Sequence, residues 1–173
     1  MADKYSKEDA YQTINLINSW INNVDTKTSF ALAYAAVLMG FAFANGTSTV
    51  FQEAKNTCPL TCGIIFKLIL VLMLYGASVG AIINLFMAVI ARVKNDSGKK
   101  SMMFFGSISQ MSINDYKAKI LNMDEKDIIK DLLEQIHTNS RICMKKIKRY
   151  NKGIVYLIIA TIICFVSVAF GII

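Results

Sequence analysis

Apolar residues along the chain gather into three long tracts and recur at helical spacing around them. Ser29–Ala44 is uncharged and apolar, Leu68–Ala91 runs for 24 residues without a charge, and Ile154–Ile173 adds 20 more. A helix rises about 1.5 Å per residue, so about 20 apolar residues cross a bilayer. The second and third tracts meet that length outright, and the first meets it with tilt or local thinning of the bilayer. Ahead of the first tract, Ile14, Ile17, Ile21 and Val24 keep a helical period, with Asn15, Asn18, Asn22, Asp25 and Ser29 on the neighbouring stripe. One helix is therefore expected from about Lys7 to Ala44. Its polar stripe passes into small residues, Ala33, Ala36, Gly40 and Ala44, on nearly the same face.

The second tract carries Gly76, Gly80, Asn84 and Ala88 four apart, opening on a Gly-x-x-x-Gly. Small faces let membrane helices approach closely, and the amide of Asn84, in mid-tract, needs a partner inside the bundle or in a wet cavity. Gly40, Gly76, Gly80 and Asn84 are thus candidates for a packing or pore-lining face. Between the second and third tracts, Ser112 with Asp115 has the form of a capping box, and Asp124 with Asp127 marks a second helix start. From there Ile129, Leu132, Leu133, Ile136, Ser140, Cys143, Ile147, Tyr150 and Ile154 form one stripe leading into the third tract. This predicts a helix of about 45 residues, with a break allowed at Gly153.

These readings give an all-α integral membrane protein: three transmembrane helices and a helical cytoplasmic region between the second and third. The segments are 1–28, an amphipathic lead; 29–45, the first span; 46–66, an external connection; 67–91, the second span; 92–153, the cytoplasmic region; and 154–173, the third span. Composition agrees, with 54% hydrophobic residues and only 18% charged against about 25% in soluble domains. Orientation follows from Lys and Arg, because cytoplasmic connections hold the excess. Fourteen of the nineteen lie in 92–153, which places that region and the N-terminus inside and the C-terminus outside. The net charge of +7 then reflects topology and attraction to anionic lipid rather than nucleic acid.

Catalytic chemistry is not apparent. His137 is the single histidine and falls on a helical face; no phosphate loop, serine-hydrolase elbow or zinc-protease motif is present. No enzyme activity, cofactor or metal is expected. Cys58 and Cys62, in "CPLTC", are candidates for a disulfide if the outer compartment is oxidising, and two ligands are too few for zinc. Asp25 and Lys27, at the entrance of the first span, carry the most chemistry. They lie two apart and so point in different directions on a helix. Lys27 can snorkel to headgroups, whereas a carboxylate at that depth costs several kcal/mol, on the order of 3, unless a cation or donors satisfy it. A partner for Asp25 is expected among Arg141, Lys145 and Lys148, on equal terms with a role in gating or ligand binding.

"SWINNVDTKTSFALAYAAVLMGF", with its aromatic amphipathic lead and Asp-x-Lys-small pattern, resembles the opening of the membrane effectors of bacterial pyrimidine-cyclase antiphage systems (Pycsar, the PycTM domain). "FFGSIS" after the second span and "LLEQIHTNSRICMKKIKRYNKG" before the third are similar to the same family, in the same order. Thr28 stands where the family pattern has Ala, and the "CPLTC" connection has no family counterpart. The resemblance implies an inner-membrane effector that senses a cyclic pyrimidine nucleotide, cyclic CMP or cyclic UMP, and impairs the membrane as a homo-oligomer, killing the infected cell. It makes Asp25 and Lys27 family-motif residues, with Asn22 and Ser29 beside them as gating candidates. Phe104 and Phe105 become stacking candidates for a base, and Arg141 and Lys145 candidates for its phosphate. A constitutive channel subunit and a non-conducting scaffold are the competing readings.

Overall fold

The structure, a computed structural model, describes residues 5–44, 47–57, 59–91 and 101–172. Six helices occur among them: α1 (Lys7–Ala44), α2 (Thr47–Asn56), α3 (Cys62–Val89), α4 (Phe105–Ile108), α5 (Ile113–Leu121) and α6 (Glu125–Ala169). No strand occurs among the described residues. Three of the helices, α1, α3 and α6, are long and apolar enough to cross a membrane. The expected single helix from Lys7 to Ala44 and the expected 45-residue helix are both present. The chain divides into two compact units, Val24–Ile90 with Lys146–Ile173, and Met1–Asn23 with Ala91–Lys145.

The first of these is the membrane-spanning unit, and its core shows why three helices pack. Ala31, Ala35, Leu38 and Ala42 of α1 are buried against Leu74, Ala77, Ala81 and Leu85 of α3 and Leu157, Ala160, Ile163 and Cys164 of α6. The α1 positions alternate four and three apart and those of α3 recur every three or four, the seam spacing that lets helices pack side by side at a shallow angle. The inside is alanine-rich while Phe30, Val37 and Phe165 point outward, 68–72% exposed. Close backbone approach, rather than exclusion of bulk from water, holds such a bundle together in lipid.

The face that α1 turns inward is the stripe beside the small-residue one. Ala33, Ala36, Gly40 and Ala44 are exposed, and the buried line is Thr28, Ala31, Ala35, Leu38 and Ala42. That line continues the apolar stripe of Ile14, Ile17, Ile21 and Val24 in register, so the apolar stripe and not the polar one becomes the packing face. In α3 the Gly-x-x-x-Gly splits for a similar reason, since residues four apart drift about 40° around a helix with each step. Gly80 meets α6, where an added Cβ would lie 3.2 Å from Cδ1 of Tyr156, whereas Gly40 and Gly76 have nothing within 4 Å.

Helix α6 does not break at Gly153. That glycine is buried, and a Cβ there would lie 2.7 Å from Cγ of Leu85. Its role is close approach to α3. The 46–66 connection contains α2, which is tied back by Thr47. The Thr47 hydroxyl donates to the Ala42 carbonyl at 3.0 Å and lies 2.6 Å from the Tyr75 hydroxyl. Val50, Val71 and Ile172 pack together beneath it. Glu53 pairs with Lys67 at 2.9 Å on the surface.

In the other, polar unit, Ala10 and Ile14 of α1 pack on Leu132, Ile128 and Ile136 of α6. Asn139 donates to Asn18 at 3.0 Å between the same two helices. Ser6 and Asp9 cap α1 reciprocally: the Asp9 amide donates to the Ser6 hydroxyl, and the Ser6 amide and hydroxyl donate to the Asp9 carboxylate. Both helix starts expected in the 92–153 region are present. Ser112 is the N-cap of α5, accepting from the Asp115 amide at 3.1 Å, and the Asp124 carboxylate accepts from the Asp127 amide at 2.8 Å.

Candidate functional site

Asp25, Thr28 and Ser29 follow one another around the first membrane turn of α1. The Thr28 side chain is fully buried and donates to the Val24 carbonyl at 2.7 Å, so it fills the seam as a small residue and satisfies its hydroxyl within its own helix. Ser29 is exposed and donates to the Asp25 carbonyl at 3.0 Å. Lys27 points away from the seam and edges a shallow groove beside Phe30, Tyr34 and Tyr150. Asn22 lies in the polar unit with its side chain exposed.

Asp25 has a cation, and it is not one of the three expected. The Nζ of Lys146 lies 2.6 Å from Oδ1 of Asp25, while Lys145 and Lys148 are exposed on α6. The reason is register. Lys146, Gly153, Ala160 and Ser167 are seven apart and all buried, so Lys146 occupies a seam position that nearer apolar neighbours disguise. Its side chain is 8% exposed, against 39% for Asp25.

The same ammonium donates to the Val89 carbonyl at 3.1 Å. Val89 is the last residue of α3, where carbonyls lack partners along the helix and the helix dipole favours a cation. One lysine of α6 therefore joins the carboxylate of α1 to the open end of α3, using two of its three donors. A second polar step lies one helical turn deeper. Asn84 donates to its own Gly80 carbonyl at 2.8 Å and accepts from Nη1 of Arg149 at 3.4 Å. The expectation that the Asn84 amide finds its partners inside the bundle is met.

The residues expected to receive a base and a phosphate are not all brought together. Phe104 and Phe105 pack on one another with ring centroids 4.7 Å apart. Phe104 closes a cavity of about 180 Å³ against α6, whose walls include Glu134, Gln135, Thr138 and Asn139. Arg141 and Lys145 are exposed on α6 and are not among those walls. What positions Phe104 was not foreseen. The Ser101 hydroxyl donates to the Asp131 carboxylate at 3.0 Å and accepts from the amides of Met103 and Phe104, both at 3.0 Å. The same carboxylate takes the Met102 amide at 2.8 Å. A small polar residue ahead of Phe-Phe-Gly, opposite an acid in the next helix, was the available signal. The candidate disulfide lies outside the described residues at Cys58; Cys62 is exposed.

An all-helical bundle of three spans joined at one end by a buried lysine defines a multi-pass membrane protein. The Pycsar effector protein domain, PycTM, is matched over residues 9–173. The Pycsar effector protein GmPycTM of Gulbenkiania mobilis is 32% identical over 186 residues, which cover 94% of this chain and 91% of that protein. No solved structure matches. The chain belongs to the PycTM family of Pycsar effectors, the membrane proteins of an antiviral defence system.

Proposed function

We propose that this chain is the killing arm of an antiphage system: on sensing cyclic CMP or cyclic UMP it opens, as a homo-oligomer in the bacterial inner membrane, and impairs that membrane. The observation that carries the reading is the contact of Lys146 with both Asp25 and Val89 at the mouth of the three spans. A charged pair at such a depth is expensive to separate and adds little net stability while intact, which suits a switch better than a brace. In the resting state Lys146 holds α1 and α3 together. When α6 moves, Asp25, Lys146, Arg149 and Asn84 are released to line a wet path.

The basic 92–153 region and the N-terminus face the cytoplasm in this reading, and the C-terminus faces outward, an orientation supported by the Lys and Arg distribution. The exposed Ala33, Ala36, Gly40 and Gly76 supply small surfaces by which copies pack in lipid. The chain acts by conformation, without catalysis or cofactor. The test is to express it in bacteria carrying a potential-sensitive dye, with and without a source of cyclic CMP or cyclic UMP. Depolarisation that depends on the nucleotide is expected; a dye signal indifferent to both nucleotides at every dose overturns the proposal.

A further inference from the structure

The cavity closed by Phe104 is one lobe of a larger feature. It shares Ser101, Asp131 and Glu134 with an open groove of about 550 Å³ that runs between α5 and the start of α6. The two lobes differ in size and chemistry. Whole small-molecule ligands occupy pockets of about 300–1,000 Å³, so the open groove has room for most of a ligand and the 180 Å³ lobe for a single ring.

The small lobe has the parts that read a ring. Phe104 offers an aromatic face, backed by Phe105, and Thr138 lies along the same wall of α6 with Gln135 and Asn139, whose amide nitrogens donate to Ser101 and Asn18 and whose amide oxygens remain as acceptors. Of its two acids, Asp131 already receives the Ser101 hydroxyl and the Met102 and Met103 amides, so its charge is spent on holding the chain in place. Glu134 has no hydrogen bond or ion pair with any described residue. It is the acceptor presented to a guest. The open groove carries Lys119 and Lys130, whose ammonium groups suit an anion, together with Asn122 and a third acid, Asp127.

Resting on the reading above that this protein senses a cyclic nucleotide, we propose that these lobes are its receptor and that they select an aminopyrimidine. The ring stacks on Phe104, its exocyclic amine donates to Glu134, and the cyclic phosphate reaches Lys119 and Lys130. Flipped bases are read in this manner, by stacking and by hydrogen bonds to the pairing edge, and a carboxylate is the partner of the cytosine amine. Uracil presents a carbonyl at that position and would set two acceptors against each other.

The position of the ring is set by Gly106. A Cβ there would lie 2.6 Å from Cε1 of Phe104, so Gly106→Ala displaces the platform without removing it.

The test is titration calorimetry of the full chain in lipid nanodiscs with cyclic CMP and cyclic UMP. Cyclic CMP is expected to bind at least roughly tenfold tighter than cyclic UMP, the scale of one good base contact. Phe104→Ala and Gly106→Ala weaken cyclic CMP by about tenfold or more, as loss of one stacked base does, while Phe104→Tyr retains it and controls for folding. Glu134→Gln, whose amide can both donate and accept, brings cyclic CMP and cyclic UMP within about threefold of each other. If the unaltered chain binds no cyclic nucleotide, both the receptor and the functional reading fall. If it binds and all three variants bind equally well, the receptor lies elsewhere and only this inference falls. Preference for cyclic UMP overturns the aminopyrimidine assignment.

Discussion

Lys146 of α6 and Asp25 of α1 meet at 2.6 Å on the buried seam of a three-span bundle, although 121 residues separate them in the chain. Removing one member strands the other. Loss of a buried partner costs about 3–5 kcal/mol, and with 39% of Asp25 exposed a cost nearer about 1–3 kcal/mol is expected for Asp25→Ala. Lys146→Ala should be at least as costly, because it also abandons the Val89 carbonyl. Thermal unfolding in mild detergent checks both; midpoints unchanged from the unaltered protein would show that the pair carries no weight.

Of the two glycines at which α6 and α3 meet, Gly153 leaves the less room, 2.7 Å from an added Cβ to Cγ of Leu85 against 3.2 Å at Gly80. Gly153→Val should push Leu85 off the seam and cost about 1–3 kcal/mol, the scale of overpacking in a core. Gly76→Ala, with open space around its Cβ, should leave the monomer's midpoint unaltered. If the two substitutions behave alike, the bundle register is wrong.

Two seam hydroxyls, Ser78 and Ser167, are fully buried and have no hydrogen-bond partner among the described residues. Replacing such a group by an apolar one of similar size removes a desolvation cost without losing a bond. Ser78→Ala and Ser167→Ala should each stabilise the resting bundle, by about 1 kcal/mol. Destabilisation on calorimetric unfolding would mean that these hydroxyls have partners in the protein as it exists in lipid.

Asp131 organises residues 101–104 through its contacts with Ser101, Met102 and Met103. Asp131→Ala should leave the Met102 amide without an acceptor and unfasten the Ser101 hydroxyl that holds the Met103 and Phe104 amides, raising hydrogen exchange there by one to two orders of magnitude, about 1–3 kcal/mol of local opening. The exchange of α3 should be unaffected. Equal exchange at residues 102–104 in both proteins would refute the clip.

Much of the architecture is written in period and length. The Ile14–Ile17–Ile21–Val24 stripe continues unbroken to Ala42, and capping chemistry at Ser112 and Asp124 starts α5 and α6 where they begin. What could not be read was which of two adjacent stripes turns inward, because an alanine stripe and a glycine stripe are equally quiet in a membrane. That ambiguity concealed Lys146 among six basic residues between Arg141 and Lys152. Its distinguishing mark, a spacing of seven from Gly153 and Ala160, has meaning only once Gly153 is known to touch Leu85. The Ser101–Asp131 clip spans 30 residues and has no periodic signature. It arises from where a connection folds back, which local pattern does not encode.

In the mechanism proposed for this protein, the Asp25–Lys146 contact holds the resting state closed. The most telling measurement is membrane potential, followed by dye, in cells producing Asp25→Ala without any cyclic nucleotide, beside the conservative variant Asp25→Glu, which keeps a carboxylate for Lys146. Depolarisation without nucleotide is expected of Asp25→Ala alone, with dependence on nucleotide retained in Asp25→Glu. An Asp25→Ala protein that reaches the membrane, stays silent without nucleotide and responds to it as the unaltered protein does would contradict the account.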